Sequence, residues 1–498
     1  MTSTHTPGDP GSSAARRKSS SCQQDDEDTS SNSHLNSLSE DVMHHIHALM
    51  PMRDAARASC VSRLFLSSWR HYPNLTFSMK ELGLIRQEGT EDERALILIS
   101  IIDRILRNHS GIGVKTLKLQ LPRNWKTLDS CYVDRFLETA IAPGIQEITV
   151  MLPWHSYCKT EYNFPCSLLS GESGESIRFL TLTNSSFRPM AGLGCLTRLH
   201  LRSVRIGDDE LGFFLSNSLA LRHLQLIYCG EIICLKIPSL LLHLRSLEVF
   251  ECKMLQVIEN NAPNISIVDL VVNDQVDVSL SLGYGSSQVK KLRISSAFAS
   301  YGLCKLPSIA PGLEALNISL LPHERVSTEM VPGKFHHLKF LNISLSMALE
   351  AYDYLCMLDF LDASPALETF ILWSARISKS YGRIDGELSH LTRMQEFHHG
   401  SLRNVTIHRF CIAESLIELT CRMLQHVSSL ERLTLDTTHG YYRCSSSRSG
   451  RCFPMETFAV REAQEALVAI RKYIKPQVPC NVELTVVEPC SFCHVSDN

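Results

Sequence analysis

The sequence predicts an α/β protein in which a short all-helical module precedes a solenoid of strand units that share one parallel sheet. A compact helical pattern spans residues 38–70, and one apolar–any–apolar unit recurs from residue 114 at short intervals. The chain has 498 residues, of which 44% are hydrophobic and 20% charged, so it is long enough for two or three folded domains.

Residues 35–78 predict the helical module, which contains three short helices. Ser39 is expected to cap the first helix, and Pro51 separates it from two further helices near residues 53–60 and 62–69. So small a module rarely has a self-sufficient core, and we expect it to need a partner. The apolar residues at helical spacing in the first helix are Val42, Ile46 and Leu49.

Two segments flank this module. Residues 1–34 are polar and predict a disordered tail. Residues 79–113 predict a helical linker, because Thr90 and Glu93 have capping-box spacing before an apolar stripe. We expect this helix to cover the first end of the solenoid. The stripe comprises Leu98, Ile101, Ile102, Ile105 and Leu106.

The solenoid is predicted over residues 114–440, with 13 candidate units. Units from Leu199 to Leu341 follow each other after 21 to 25 residues, which is typical of leucine-rich repeats. The units at 224–232 and 247–255 contain a cysteine variant of the motif. The first apolar residues of the units are Leu117, Ile148, Leu180, Leu199, Leu224, Leu247, Val268, Leu292, Leu316, Leu341, Phe370, Val405 and Leu433.

The residue that follows each of these anchors is expected to face solvent, because side chains alternate along a strand. These residues are Lys118, Thr149, Thr181, His200, Gln225, Glu248, Asp269, Arg293, Asn317, Asn342, Ile371, Thr406 and Thr434. The parallel sheet is expected to form the concave face that such solenoids use for binding. The candidate substrate-binding residues on it are His200, Gln225, Glu248, Asp269, Arg293, Asn317 and Asn342.

Residues 441–498 predict a loop and a terminal cap. An amphipathic helix is expected over 455–475, closed by Pro476, and a last strand over 481–489. The strand is expected either to cap the solenoid or to continue its sheet in a small domain.

The helical module resembles an F-box. The matching features are Leu38, the Ile46–Leu49 helix, the turn Met50-Pro51-x-Arg53-Asp54, and Cys60-Val61-Ser62-Arg63 before an aromatic residue. With the cysteine-containing repeats, the chain is similar to the plant F-box/LRR family, and its C-terminal region more weakly resembles the FBD region of that family.

The resemblance implies the substrate receptor of an SCF-type ubiquitin ligase, with no catalytic residue of its own. A Skp-type adaptor would bind the F-box and link it to a cullin, and the repeats would bind an unknown target protein. Ser39 stands where the family has proline, and Phe65 stands near a common tryptophan. The implied adaptor-binding residues are Leu38, Ile46, Leu49, Pro51, Val61 and Phe65.

Composition narrows the other partners. The net charge of -3 gives no reason to expect nucleic acid or an anionic membrane as a partner. The sequence has no long apolar run and no secretory signal, so we expect a nuclear or cytoplasmic protein with reduced cysteines. Cys490, Cys493 and His494 have haem-attachment spacing, and Cys480 is near enough in sequence to join a zinc site, but we expect terminal thiols and neither metal nor cofactor.

Two alternatives remain open at this stage. One is a repeat scaffold whose F-box has lost adaptor binding. The other is a small-ligand receptor, by analogy with plant hormone-sensing F-box/LRR proteins. The second needs a pocket, and the sequence shows no cluster of Arg and aromatic residues on the expected concave face.

Overall fold

The computed structural model describes residues 39–111, 113–122, 130–153, 162–272, 278–295, 305–320, 333–345, 347–348, 352–377, 398–438, 455 and 457–489. Several sequence features therefore lie outside the described residues: the tail at 1–34, Leu38, the loop that begins at residue 441, and the motif from Cys490 to His494.

Among the described residues, one sheet of 15 parallel strands forms the body of the protein, and its strands are neighbours in chain order. This confirms the predicted α/β class and the repeat solenoid. The strands are β1 Asn74–Phe77, β2 Thr116–Gln120, β3 Glu147–Met151, β4 Phe179–Thr183, β5 Arg198–Arg202, β6 His223–Ile227, β7 Ser246–Phe250, β8 Ile267–Val271, β9 Lys291–Ile294, β10 Ala315–Leu320, β11 Phe340–Leu345, β12 Thr369–Trp373, β13 Asn404–His408, β14 Arg432–Asp436 and β15 Glu483–Val487.

The helices lie mainly between these strands. They are α1 Glu40–Leu49, α2 Met52–Val61, α3 Arg63–Trp69, α4 Glu91–Asn108, α5 Ser130–Ala140, α6 Glu172–Ser176, α7 Asp208–Ser216, α8 Leu306–Ile309, α9 Met357–Asp362, α10 Glu414–His426 and α11 Thr457–Ala469, with a π turn at Ile470–Ile474. Short 3-10 turns occur at Leu84–Arg86, Cys166–Leu169, Gly283–Gln288, Tyr354–Cys356 and Lys475–Gln477. Short outer strands are Tyr162–Asn163, Ser185–Ser186, Cys234–Ile237, Val257–Asn260, Ser279–Ser281, Met347–Ala348 and Arg376–Ile377.

The core follows from the two-residue period of the strands. Leu224 pairs with Leu199 on one side and with Leu247 on the other, and all three are buried. A second buried row lies two residues further along each strand, and it includes Leu201 and Leu226, which pair with each other. Burying each such side chain contributes about 1.5–3 kcal/mol, so the stacked rows stabilise every unit through its neighbours.

A left-handed residue follows several strands and turns the chain inward. Tyr228 and Glu251 have φ values of 55° and 51°, and the next residue in each case is a buried cysteine. The thiol of Cys229 donates to Leu201 O at 3.6 Å, and that of Cys252 to Leu226 O at 3.8 Å. The cysteine variant of the motif therefore places a small thiol where the turn enters the core.

The sheet extends beyond the predicted solenoid at both ends. Strand β1 lies within the range assigned to the helical module and pairs with β2. Helix α4 connects these two strands, and Thr90 and Glu93 form its predicted capping box. At the other end, β15 pairs with β14 and continues the sheet.

The helical module itself covers the first end of the sheet. Asn74 Nδ2 donates to Ala48 O at 3.0 Å, Tyr72 Oη donates to Met50 O at 2.7 Å, and Thr76 N donates to the sulfur of Met52 at 3.2 Å. Because β1 would otherwise expose an unpaired edge, these contacts both satisfy its polar groups and bury the adjoining core.

Candidate functional site

A buried histidine holds the three helices of the module together. His47 on α1 donates through Nε2 to Ala55 O of α2 at 2.9 Å, and its Nδ1 lies 2.9 Å from Ser68 Oγ of α3. The ring also contacts Phe65, with centroids 5.1 Å apart, and Tyr72, at 5.7 Å. A single polar ring thus sets the relative positions of the helices, because it satisfies a hydrogen bond to each.

The predicted apolar stripe of α1 lies on a different face of the helix from this core. Met43 and His47 are the buried residues of the helix, whereas Val42, Ile46 and Leu49 are exposed. In the sequence, only the spacing of four residues from Met43 marks His47 as a buried residue. An apolar face left in solvent on so small a module is a feature of binding surfaces.

The implied adaptor-binding residues divide into two groups. Ile46 is 39% exposed, Leu49 74% and Val61 85%, and Pro51 is also exposed. Phe65 is only half-buried, and its ring packs against His47 inside the module. Leu64 and Leu66 of α3, which the sequence reasoning did not select, are also exposed apolar residues of the module.

Ser39 occupies the predicted cap position of α1 but does not cap it with its side chain. Its backbone is extended and its carbonyl accepts a hydrogen bond from Met43 N at 3.1 Å. The predicted side-chain cap is therefore wrong, because the hydroxyl makes no hydrogen bond to the helix. The negative charges of Glu40 and Asp41 in the first turn still interact favourably with the positive end of the helix dipole.

The seven candidate substrate-binding residues form one continuous row across the sheet. His200 pairs in register with Gln225, and the row continues strand by strand to Asn342. All 13 residues predicted to follow the anchors lie in this row, which Thr76 and Thr485 extend at its two ends. We call these 15 residues the central row.

Neighbours in the central row are paired with one another. Gln225 Nε2 donates to Glu248 Oε2 at 2.6 Å, and an Arg293 nitrogen lies 3.1 Å from Asp269 Oδ2. Asn342 Nδ2 donates to Asn317 Oδ1 at 3.0 Å. These contacts fix the side chains as a pre-ordered polar surface, which lowers the entropy that a partner must remove on binding.

His200 differs from the rest of the row in its electrostatics. Burial lowers the pKa of His200 below its ordinary value, and the positive charge of Arg198 lowers it further. Burial raises the pKa of Asp269, while Arg293 opposes that shift. His200 is therefore a neutral hydrogen-bonding group near pH 7.

Arginine and aromatic side chains do meet at the strand ends. The expectation that such side chains would not form a cluster on the concave face is therefore wrong. Tyr228 and Phe250 are exposed and contact each other edge to face, with ring centroids 5.5 Å apart. The Arg202 guanidinium lies 5.6 Å from the Tyr228 ring centre. The sequence concealed this cluster because its members come from different repeats and from positions outside the central row.

A second cluster lies at the ends of β12, β13 and β14. His408 Nδ1 lies 3.1 Å from Asp436 Oδ2, and the Trp373 ring is 3.9 Å from that of His408. Asp436 is 1% exposed and also accepts hydrogen bonds from the backbone and hydroxyl of Thr438. These contacts satisfy the buried carboxylate, so the cluster stabilises the later repeats.

Within the described ranges, no three or more His, Cys, Asp or Glu side chains are grouped in a way that could hold a metal ion. Among the helices of the described residues, none has the length and apolar content needed to cross a membrane.

Comparison with known proteins matches both parts of the chain. The family described as "At1g61320/AtMIF1, LRR domain" matches residues 105–491, well over half of the chain, and includes the C-terminal region compared above with FBD. The F-box domain family matches residues 35–76. The F-box match ends within β1, and the repeat-family match begins within α4.

Curated relatives in Arabidopsis thaliana include proteins named as F-box/LRR-repeat proteins and one named as an F-box protein. The F-box/LRR-repeat protein At5g02910 is 24% identical over 217 residues, which cover 43% of this chain and 43% of the relative. The putative F-box protein At3g58860 is 23% identical over 197 residues, 39% of this chain and 41% of the relative. Each alignment thus spans less than half of the relative's length.

Proposed function

Because this chain belongs to the F-box/leucine-rich-repeat family, we propose that it is the substrate-recognition subunit of an SCF-type (Skp–cullin–F-box) ubiquitin ligase. The module would bind a Skp-type adaptor and through it a cullin, and the sheet would bind a protein destined for ubiquitination and proteasomal degradation. The exposed Ile46, Leu49 and Val61 carry the proposal, since they are apolar side chains left in solvent on a module whose helices are already joined by the buried His47.

The chain's contribution to the reaction would be positional. A receptor that holds both adaptor and substrate raises the effective concentration of the substrate near the ubiquitin carrier. It needs no nucleophile or cofactor for this purpose.

We also propose a nuclear or cytoplasmic location, where a reducing environment keeps the Cys229 and Cys252 thiols free.

Adaptor binding by purified full-length protein tests the proposal. We expect Leu49→Asp to weaken binding to a Skp-type adaptor at least tenfold, because a charge would replace an apolar contact. Leu96→Asp is the matched control, since Leu96 is an exposed leucine on α4, away from the module. If folded wild-type protein binds no Skp-type adaptor, the ligase role is refuted and a repeat scaffold becomes the better description.

A ligand-dependent receptor is a second candidate. The contact of Arg202 with Tyr228, and of Tyr228 with Phe250, supplies the cation and aromatic groups that small anionic or aromatic ligands use. A ligand-dependent rise in melting temperature that Tyr228→Ala abolishes would favour this candidate. The absence of any shift across a panel of such ligands would count against it.

A further inference from the structure

The residues that directly precede the strands form a second continuous row, which we call the edge row. Each is linked to the next through its backbone carbonyl: Arg222 N donates to Thr197 O, and Arg245 N donates to Arg222 O, both at 2.8 Å. From β3 to β14 the edge row consists of Gln146, Arg178, Thr197, Arg222, Arg245, Ser266, Lys290, Glu314, Lys339, Glu368, Arg403 and Glu431.

The second half of the edge row is electrically balanced. From Lys290 to Glu431 basic and acidic residues alternate, and they form ion pairs along the row. Lys290 lies 3.0 Å from Glu314, and Arg403 lies 3.1 Å from Glu431. Such pairs are worth little for stability at an exposed site, but they leave almost no net field for a charged partner.

The first half of the edge row lacks this balance. Arg178, Arg222 and Arg245 are exposed, and no carboxylate lies within ion-pair distance of any of them among the described residues. Arg198, the first residue of β5, adds a fourth guanidinium, held over the Phe179 ring at 5.2 Å. We call Arg178, Arg198, Arg222 and Arg245 the basic edge.

The histidines beside the basic edge respond to its charge. Burial lowers the pKa of His223, and Arg198 and Arg222 lower it further. The same cause, burial followed by Arg198, lowers the pKa of His200. The two imidazoles therefore stay neutral near pH 7. The nearest acidic residue of the central row is Glu248, and its carboxylate already accepts a hydrogen bond from Gln225.

We propose that the basic edge binds an extended acidic segment of a partner protein, running across strands β4 to β7 beside the central row. The inference rests on the proposed function only in taking that partner to be the ligase substrate. The guanidiniums supply charge complementarity because none has an ion-pair partner among the described residues, although Arg245 Nη1 donates to Asn264 O at 2.9 Å. A guanidinium can bind a carboxylate through two parallel hydrogen bonds.

The spacing favours several carboxylates over one compact anion. Neighbouring strands are about 4.8 Å apart, so Arg178 and Arg245, which are three strands apart, are separated by about 14 Å. About four residues of extended chain cover that distance. A nucleic acid duplex is a poorer match, because its regular charge would continue past Ser266 onto Glu314 and Glu368.

The experiment uses full-length protein, with and without a Skp-type adaptor, and a fluorescent peptide of alternating Glu and Gly. A Gln–Gly peptide of the same length is the neutral probe. Fluorescence anisotropy should show binding of the Glu–Gly peptide that weakens with salt, and no comparable binding of Gln–Gly. The double variant Arg222→Gln/Arg245→Gln should weaken binding about tenfold at low salt.

The matched control is Lys290→Gln/Lys339→Gln, which removes the same charge from paired positions of the same edge row. It should change affinity by less than about twofold. An equal loss in both double variants, or no preference for Glu–Gly over Gln–Gly, overturns the proposal. So does tighter binding to a single-phosphoserine peptide, a DNA duplex or phosphatidylserine vesicles.

Adaptor binding measured in the same preparation separates the two proposals. Protein that binds the adaptor but not the Glu–Gly peptide refutes the acidic-segment proposal alone. Protein that binds the peptide through the basic edge but no adaptor refutes the receptor role alone.

Discussion

Replacing His47 with alanine should open the three-helix module and leave the repeats folded. The substitution removes the hydrogen bond to Ala55 O and leaves the buried hydroxyl of Ser68 without its partner. Two hydrogen bonds contribute about 2 kcal/mol, and the space left by the ring costs about 1 kcal/mol more. The local stability of the module should fall by about 3 kcal/mol, which is roughly a hundredfold rise in its open population.

Hydrogen–deuterium exchange of the full-length protein measures this change directly. Peptides from α1 to α3 should exchange faster in His47→Ala, whereas peptides from β6 and β7 should not change. His45→Ala is the matched control, because His45 is an exposed histidine on the same helix. If the module exchanges at the wild-type rate in His47→Ala, or equally fast in both variants, His47 does not hold the helices together.

Three further predictions concern the repeats and their histidine. Leu224→Ala should lower the free energy of unfolding in urea by about 2–5 kcal/mol, whereas Leu240→Ala, at an exposed position, should lower it by less than about 0.5 kcal/mol; equal effects would contradict the core assignment. Thr90→Ala should cost about 1 kcal/mol and speed exchange at the start of α4, and unchanged exchange there would count against the cap. The pKa of His200, measured by NMR titration, should lie below the ordinary histidine value of 6.5. The free energy of unfolding should therefore fall as pH decreases through that value, because the unfolded chain binds the proton more tightly. Arg198→Gln should raise the titration midpoint of His200, and an unshifted midpoint would refute the role of Arg198.

The register of the sheet was predictable because each strand has one buried and one wet face. The two-residue period of Leu224 and Leu226 determines which side of the strand is buried, and this fixes Gln225 in the central row. The first strand was missed even though Leu75 and Phe77 show the same alternation. It stood apart from the other units, inside a segment already assigned to helices.

The faces of the helical module were not predictable from spacing. Val42, Ile46 and Leu49 form the more apolar stripe of α1, yet Met43 and His47 are the buried pair. An amphipathic pattern shows that a helix has an apolar face, but not whether that face meets its own chain or another. The basic edge was missed for a related reason, since its arginines precede the strands and take no part in the alternation.

The direct packing of the helical module on β1 makes the recognition surface a rigid extension of the docking helices. With Tyr72, Asn74 and Thr76 all bonded to the module, no flexible linker separates the two. In the proposed receptor, the reach from the adaptor to a bound substrate would be set by the number of strands between them, in steps of about 4.8 Å. Arg245 precedes the seventh strand, about 29 Å along the sheet from β1. Gain or loss of one repeat would change that reach by one step, without altering either binding surface.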